Sequence, residues 1–176
     1  MKFFSCIKRL NFKIVFLLKK AWWALEYGSQ LELEEQVSFR KGMIINISDD
    51  AIVRVGKKTF FNNYCSINAH GEIAIGSDCL FGEGVKIYDH NHIFYTEKKT
   101  NEQSYSVGKV VIGNNCWICS NVIILKDAEI GDNCTISAGC IIKEKVPNNS
   151  LVRIDEKKQI IETIKVRKNS DEIDYE

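Results

Sequence analysis

The stretch that decides the fold is IGNNCWICSNVIILKDAEIGDNCTISAGCII, residues 112–142, in which isoleucine returns at every sixth position: Ile112, Ile118, Ile124, Ile130, Ile136 and Ile142. Isoleucine accounts for 24 of the 176 residues. Six hits in one frame then arise by chance about once in a hundred thousand, and a fixed period of this kind marks a solenoid. Four residues after these isoleucines come Cys116, Val122, Ala128, Cys134 and Cys140, small or β-branched side chains that suit a second inward position. A hexad has room for one short strand and one tight corner, and three hexads close a triangular coil of about eighteen residues. The spacing predicts Ile112 under Ile130 and Cys116 under Cys134. Gly113 and Gly131 follow their isoleucines where a corner asks for unusual backbone angles.

Towards the N-terminus, Val55, Phe61 and Ile67 keep the frame; after a slip of two residues it resumes with Ile75, Phe81 and Ile87. Thr59, Cys65, Gly71, Cys79 and Val85 take the small position. Five of the seven cysteines therefore fall in one slot, as compact core filler. Cys116-Trp-Ile-Cys119 has the spacing of a redox dithiol or half a zinc site, but the register turns Cys116 inward and leaves Cys119 at a corner. From Leu31 to Val55 the strands alternate without a clean hexad frame, as terminal coils do. Between Ile87 and Ile112 the repeat stops, and residues 89–109 read as a polar loop thrown out of the helix. A solenoid does not need such an excursion, so it points to function. His90 and His92 lie at its root.

A chain of 176 residues, 45% hydrophobic and 27% charged, fits a single folded domain. The net charge of +1 gives no footprint for nucleic acid, and no apolar run is long enough to span a bilayer. An odd number of cysteines without a secretory signal points to a reducing, cytoplasmic setting. The chain divides into an N-terminal basic amphipathic helix (1–27), a parallel β-helix (28–154) carrying the excursion 89–109, and a C-terminal segment (155–176) ending in the acids Asp171, Glu172, Asp174 and Glu176. Residues 2–25 hold Lys2, Lys8, Arg9, Lys13, Lys19 and Lys20 and no acid, with Phe3, Ile7, Leu10, Ile14, Leu18 and Leu25 at helical spacing. Two roles fit: packing against the first coil, which is favoured, and contact with the inner face of a membrane through the basic residues, Trp22 and Trp23.

Tyr88-Asp-His-Asn-His92, Val111-Ile-Gly-Asn-Asn-Cys-Trp-Ile118, Ile130-Gly-Asp-Asn133, Ser137-Ala-Gly139 and Val146-Pro-Asn-Asn-Ser150 resemble the motifs of the hexapeptide-repeat sugar O-acetyltransferases. These are the galactoside and maltose acetyltransferases and their polysaccharide-modifying relatives, and the likeness covers residues 55 to 150. It implies an all-β fold, a left-handed parallel β-helix, assembled as a homotrimer with active sites between subunits. It also implies acetyl-CoA as donor, no metal, and as acceptor a hydroxyl of a saccharide in a polysaccharide or on a lipid carrier.

His90 matches the family's catalytic histidine and would act as general base, a task suited to a side chain that titrates near neutrality. Its second nitrogen needs an orienting partner, for which Asp89 and Glu83 are the candidates. Asn68, read as a corner residue, Glu83, Tyr88, Asp89 and His92 are the candidate acceptor contacts. The resemblance places coenzyme A beside Trp117, Ser120 and the backbone amide of Ala138, with Lys143 and Lys145 available to phosphate. After Ser150 the chain reads Leu151-Val-Arg-Ile-Asp-Glu-Lys-Lys158 where the family has Gly-x-Pro-Ala, so no adenine site is assigned. The competing readings are N-acetylation of an amino sugar, a metal hydratase like the γ-type carbonic anhydrases built on His70, His90 and His92, and a repeat scaffold without catalysis. The three histidines do not have the hydratase spacing.

Overall fold

A computed structural model describes residues 2–94, 99 and 104–154, with side chains from residue 14 onward. The expectations for the basic and apolar side chains of residues 2–13, for the tip of the excursion and for the acidic tail lie outside the described residues. Helix α1 (Lys2–Tyr27) leads through a short 3-10 turn (Gly28–Gln30) into a parallel β-solenoid. Its first sheet stacks β1 (Leu31–Leu33), β4 (Ile52–Val55), β7 (Glu72–Ile75), β12 (Lys109–Ile112), β15 (Glu129–Ile130) and β18 (Lys145–Val146). The second stacks β2 (Ser38–Phe39), β5 (Phe60–Phe61), β8 (Leu80–Phe81), β13 (Trp117–Ile118), β16 (Thr135–Ile136) and β19 (Leu151–Val152). The third stacks β3 (Ile44–Ile47), β6 (Ser66–Ala69), β9 (Lys86–Tyr88), β14 (Ile123–Ile124) and β17 (Ile141–Ile142).

Successive coils pair in the expected register: Ile112 opposes Ile130, Ile118 opposes Ile136 and Ile124 opposes Ile142. These isoleucines are all buried, as are Cys65, Cys79, Cys116, Cys134 and Cys140 in the small slot. The thiols of Cys65, Cys79, Cys116 and Cys134 each reach a carbonyl of the adjoining coil, of Gly82, Gly113, Gly131 and Pro147, at 3.1 Å. The contact with Cys79, and after it burial, push the Cys116 thiol far above the usual thiol range. Cys119 sits half-buried at a corner.

Corners close with side chains as well as backbone. Asn115, Asn121, Asp127, Asn133 and Asn149 all take positive φ, a conformation that short polar side chains tolerate best among residues with a Cβ. Asn115 donates to Asn133 at 2.9 Å and Asn133 to Asn149 at 3.2 Å, a ladder running along one edge.

The first coils are more regular than the sequence suggests. Leu31 pairs with Val53, 22 residues on, and Ile52 with Glu72, 20 residues on, before the 18-residue offset of Val111 with Glu129. Longer coils keep the stacking while shifting the hexad frame, which is why no frame is visible between Leu31 and Val55. Helix α1 packs on this end. The rings of Phe16 and Trp23 lie 4.6 and 5.0 Å from that of Phe39, Tyr27 Oη donates to the Ile45 carbonyl at 2.9 Å, and Lys19 Nζ donates to that of Met43. The excursion is anchored by structure of its own: β10 (His90–His92) and β11 (Tyr105–Val107) form an antiparallel ribbon at its root.

Candidate active site

Asp89 and His90 follow β9, where the third sheet gives way to the first. The Asp89 side chain is fully buried, and its carboxylate is spoken for on both oxygens. Oδ1 accepts the backbone N–H of His70 and Oδ2 that of Gly71, both at 2.8 Å, and His90 Nδ1 lies 3.0 Å from Oδ1. A carboxylate offers only acceptors, so in the neutral imidazole this contact puts the proton of His90 on Nδ1 and leaves the lone pair to Nε2. The His90 side chain is 12% exposed, enclosed yet reachable.

The corner leaves little room. A Cβ on Gly71 would stand 2.5 Å from the Gly108 carbonyl oxygen and 2.7 Å from Val107 Cγ1, so the absence of a side chain lets the ribbon return to the solenoid beside Asp89. Gly108 in turn donates its N–H to the Asp89 carbonyl at 2.8 Å.

Coil stacking brings in Ser48, which carried no sequence signal, and His70, which the sequence offered only in the hydratase set. In the third sheet Asn46 opposes Asn68 and Asn68 opposes Tyr88; two residues further along each strand, Ser48, His70 and His90 form a column. Ser48 Oγ and His70 Nδ1 are 3.1 Å apart, and the His70 and His90 rings 4.0 Å. Tyr105, brought in by β11, lies against all three histidine rings, at 4.1 Å from His70, 5.1 Å from His90 and 4.6 Å from His92. Burial first, and then the neighbouring His90, hold His70 below the usual histidine range, with Asp89 opposing. Among the described residues no three His, Cys, Asp or Glu side chains converge as a metal site.

The other expected residues divide. His92 is exposed on β10, and the Tyr88 ring meets His90 edge-on at 6.2 Å. Asn68 lies within strand β6 instead of at a corner, its Oδ1 accepting from Asn46 Nδ2 at 2.8 Å. Glu83 does not orient His90. It sits at the corner between the second and third sheets, where Asn63 Nδ2 donates to its carboxylate at 2.8 Å and its own N–H donates to Ser120 Oγ at 3.2 Å. Ser120 and Ala138 share that corner, one coil apart, with the Gly139 N–H donating to the Ser120 carbonyl at 3.0 Å. Trp117 stands 52% exposed on the second sheet, in register with the exposed Leu80. Lys143 is exposed at the corner after β17, whereas Lys145 pairs with Glu129 at 2.9 Å. One chain thus holds His90 at one edge of the prism and the group Trp117, Ser120 and Ala138 around another.

Comparison with known proteins agrees with this architecture. The model for bacterial transferase hexapeptide repeats, six repeats long, matches residues 109–144. Galactoside O-acetyltransferase of Escherichia coli (strain K12) is 27% identical over 143 residues, covering 74% of this chain and 70% of the relative. A maltose O-acetyltransferase from Clostridium difficile 630 superposes with a TM-score of 0.59 at 26% identity, over 69% of this chain and 64% of that one. A galactoside acetyltransferase in complex with coenzyme A gives 0.54 at 28% identity, over 69% and 56%. With its six-residue period, its parallel coils and these relatives, the chain carries hexapeptide repeats and is similar to the hexapeptide-repeat acetyltransferases.

Proposed function

We propose that this protein transfers an acetyl group from acetyl-CoA to a hydroxyl of a saccharide, with His90 as general base and a homotrimer as the working form. The observation that carries the reading is the buried Asp89 carboxylate, held by two backbone N–H groups and facing His90 Nδ1. That contact leaves His90 Nε2 as the base. Nε2 takes the hydroxyl proton as the oxygen attacks the thioester carbonyl. The tetrahedral intermediate then collapses, the C–S bond breaks, and the proton returns from Nε2 to the departing sulfur. An ester and free coenzyme A result.

The donor reading draws support from the exposed Trp117 and from the relative that binds coenzyme A. The separation of His90 from Trp117, Ser120 and Ala138 on different edges of one chain supports sites completed by a second subunit. His92, Tyr88 and Tyr105 stand beside His90 and are the nearest candidates to receive the acceptor; Asn68 stands one coil below Tyr88. The saccharide class follows the named relatives, a galactoside and a maltose O-acetyltransferase.

The test is release of free thiol from acetyl-CoA against a panel of saccharides, with the product treated with mild alkali. An alkali-labile acetyl group on a saccharide is the expected result. An alkali-stable amide would assign N-acetylation, and no thiol release with any acceptor would contradict acetyl transfer to a saccharide.

A further inference from the structure

Helix α1 has two unlike faces. Phe16, Lys19, Trp23 and Tyr27 engage the first coil, and Trp23 is 4% exposed. The opposite arc carries Ile14, Val15, Leu17, Leu18, Trp22 and Leu25, exposed from 47% to 85%. A contiguous apolar strip of this kind marks an interaction surface. In sequence, Phe3, Ile7 and Leu10 continue the same helical spacing.

Charge is segregated in the same place. Residues 2–25 contain six basic side chains, of which Lys19 engages the first coil, and no acidic ones, while the rest of the chain holds 18 basic against 23 acidic. A protein partner would be met by an apolar strip without need for this local excess of cations; an anionic bilayer uses both. No helix among the described residues is long and apolar enough to cross a membrane, and α1 is tied to the solenoid along one side. A helix tied in this way suits the interface plane of a bilayer, where its apolar arc would face inward and Trp22 would meet the headgroups.

We infer that α1 docks the protein on the surface of an anionic lipid bilayer through Ile14, Leu18, Trp22, Leu25 and their neighbours. This inference stands on the helix alone and is independent of the acetyl-transfer reading. The intact chain is sedimented with vesicles of phosphatidylcholine containing about 30% phosphatidylglycerol, and with vesicles of phosphatidylcholine alone. The expected result is binding to the anionic vesicles, weakened by salt. The triple substitution Leu18→Ser, Trp22→Ser and Leu25→Ser, all at exposed positions, should reduce it about tenfold or more. Sedimentation velocity without lipid should find that variant in the same oligomeric state as the parent. Absence of binding, equal binding to both vesicles, or undiminished binding by the variant would overturn the inference. So would a change in the variant's oligomeric state, which would assign the strip to contact between copies of the chain.

Discussion

Asp89 is the residue on which the candidate site turns, because it is buried and three donors converge on it. Replacing it with asparagine leaves one carboxamide oxygen where two carboxylate oxygens were accepting, and its amide group would no longer hold the proton on His90 Nδ1. Asp89→Asn should lower kcat about ten- to a hundredfold or more with little change in the KM for acetyl-CoA. It should also cost about 1–3 kcal/mol of stability from the unpaired backbone N–H. Steady-state kinetics and chemical denaturation read the two effects separately. His70 gives a pH prediction. Its folded-state pKa lies below the ordinary value of 6.5, so between the two values the unfolded chain binds the proton that the folded chain refuses. The stability tied to His70 is therefore complete above about pH 6.5 and lost as the pH falls below it. The melting temperature of His70→Gln, followed from pH 8 to 5, should fall less steeply than that of the parent.

At the scale of strands and corners, the inward isoleucines set the stability. Ile118 is fully buried between Phe81 and Ile136 in the second-sheet stack, and Ile118→Ala should cost about 2–5 kcal/mol in denaturant titration. Much of this layer is legible in the sequence: the six-residue frame names the inward isoleucines, and the same frame puts five cysteines in the core. The stacking of His70 under His90 was also written there, in the slip of two residues between Ile67 and Ile75, whereas the place of Ser48 depends on the 22-residue first coils, where no frame is visible. That slip makes the coil 20 residues long and places residue 70 under residue 90. In the sequence His70 figured beside His90 only in the hydratase set that its spacing disfavoured; it has no motif of its own, and its contact with His90 arises through stacking. Tyr105 was out of reach, since its approach depends on the antiparallel ribbon across the excursion, and no period links residue 105 to residue 90. Of the two orienting partners left open for His90, the structure sets Asp89 against it and not Glu83. Glu83 is close to His90 in sequence but lies at a different corner of the prism, beside Asn63 and Ser120.

For the whole molecule, the separation of His90 from Trp117, Ser120 and Ala138 within one chain has a consequence for assembly. If sites form between copies, protomers lacking His90 and protomers lacking Trp117 are each inactive alone, yet mixed oligomers contain some interfaces with both residues intact. Co-refolded mixtures of His90→Ala and Trp117→Ala should regain a fraction of parental activity; a site contained within one chain would regain none. The claim on which the mechanism rests is that His90 takes the proton of the attacking hydroxyl. The most direct test is the turnover of His90→Ala against the parent in acetyl-CoA-dependent thiol release, with coenzyme A affinity measured on both. Loss of a general base predicts a fall in kcat of about a hundredfold or more with coenzyme A binding nearly unchanged. A variant that turns over at the parental rate would contradict it.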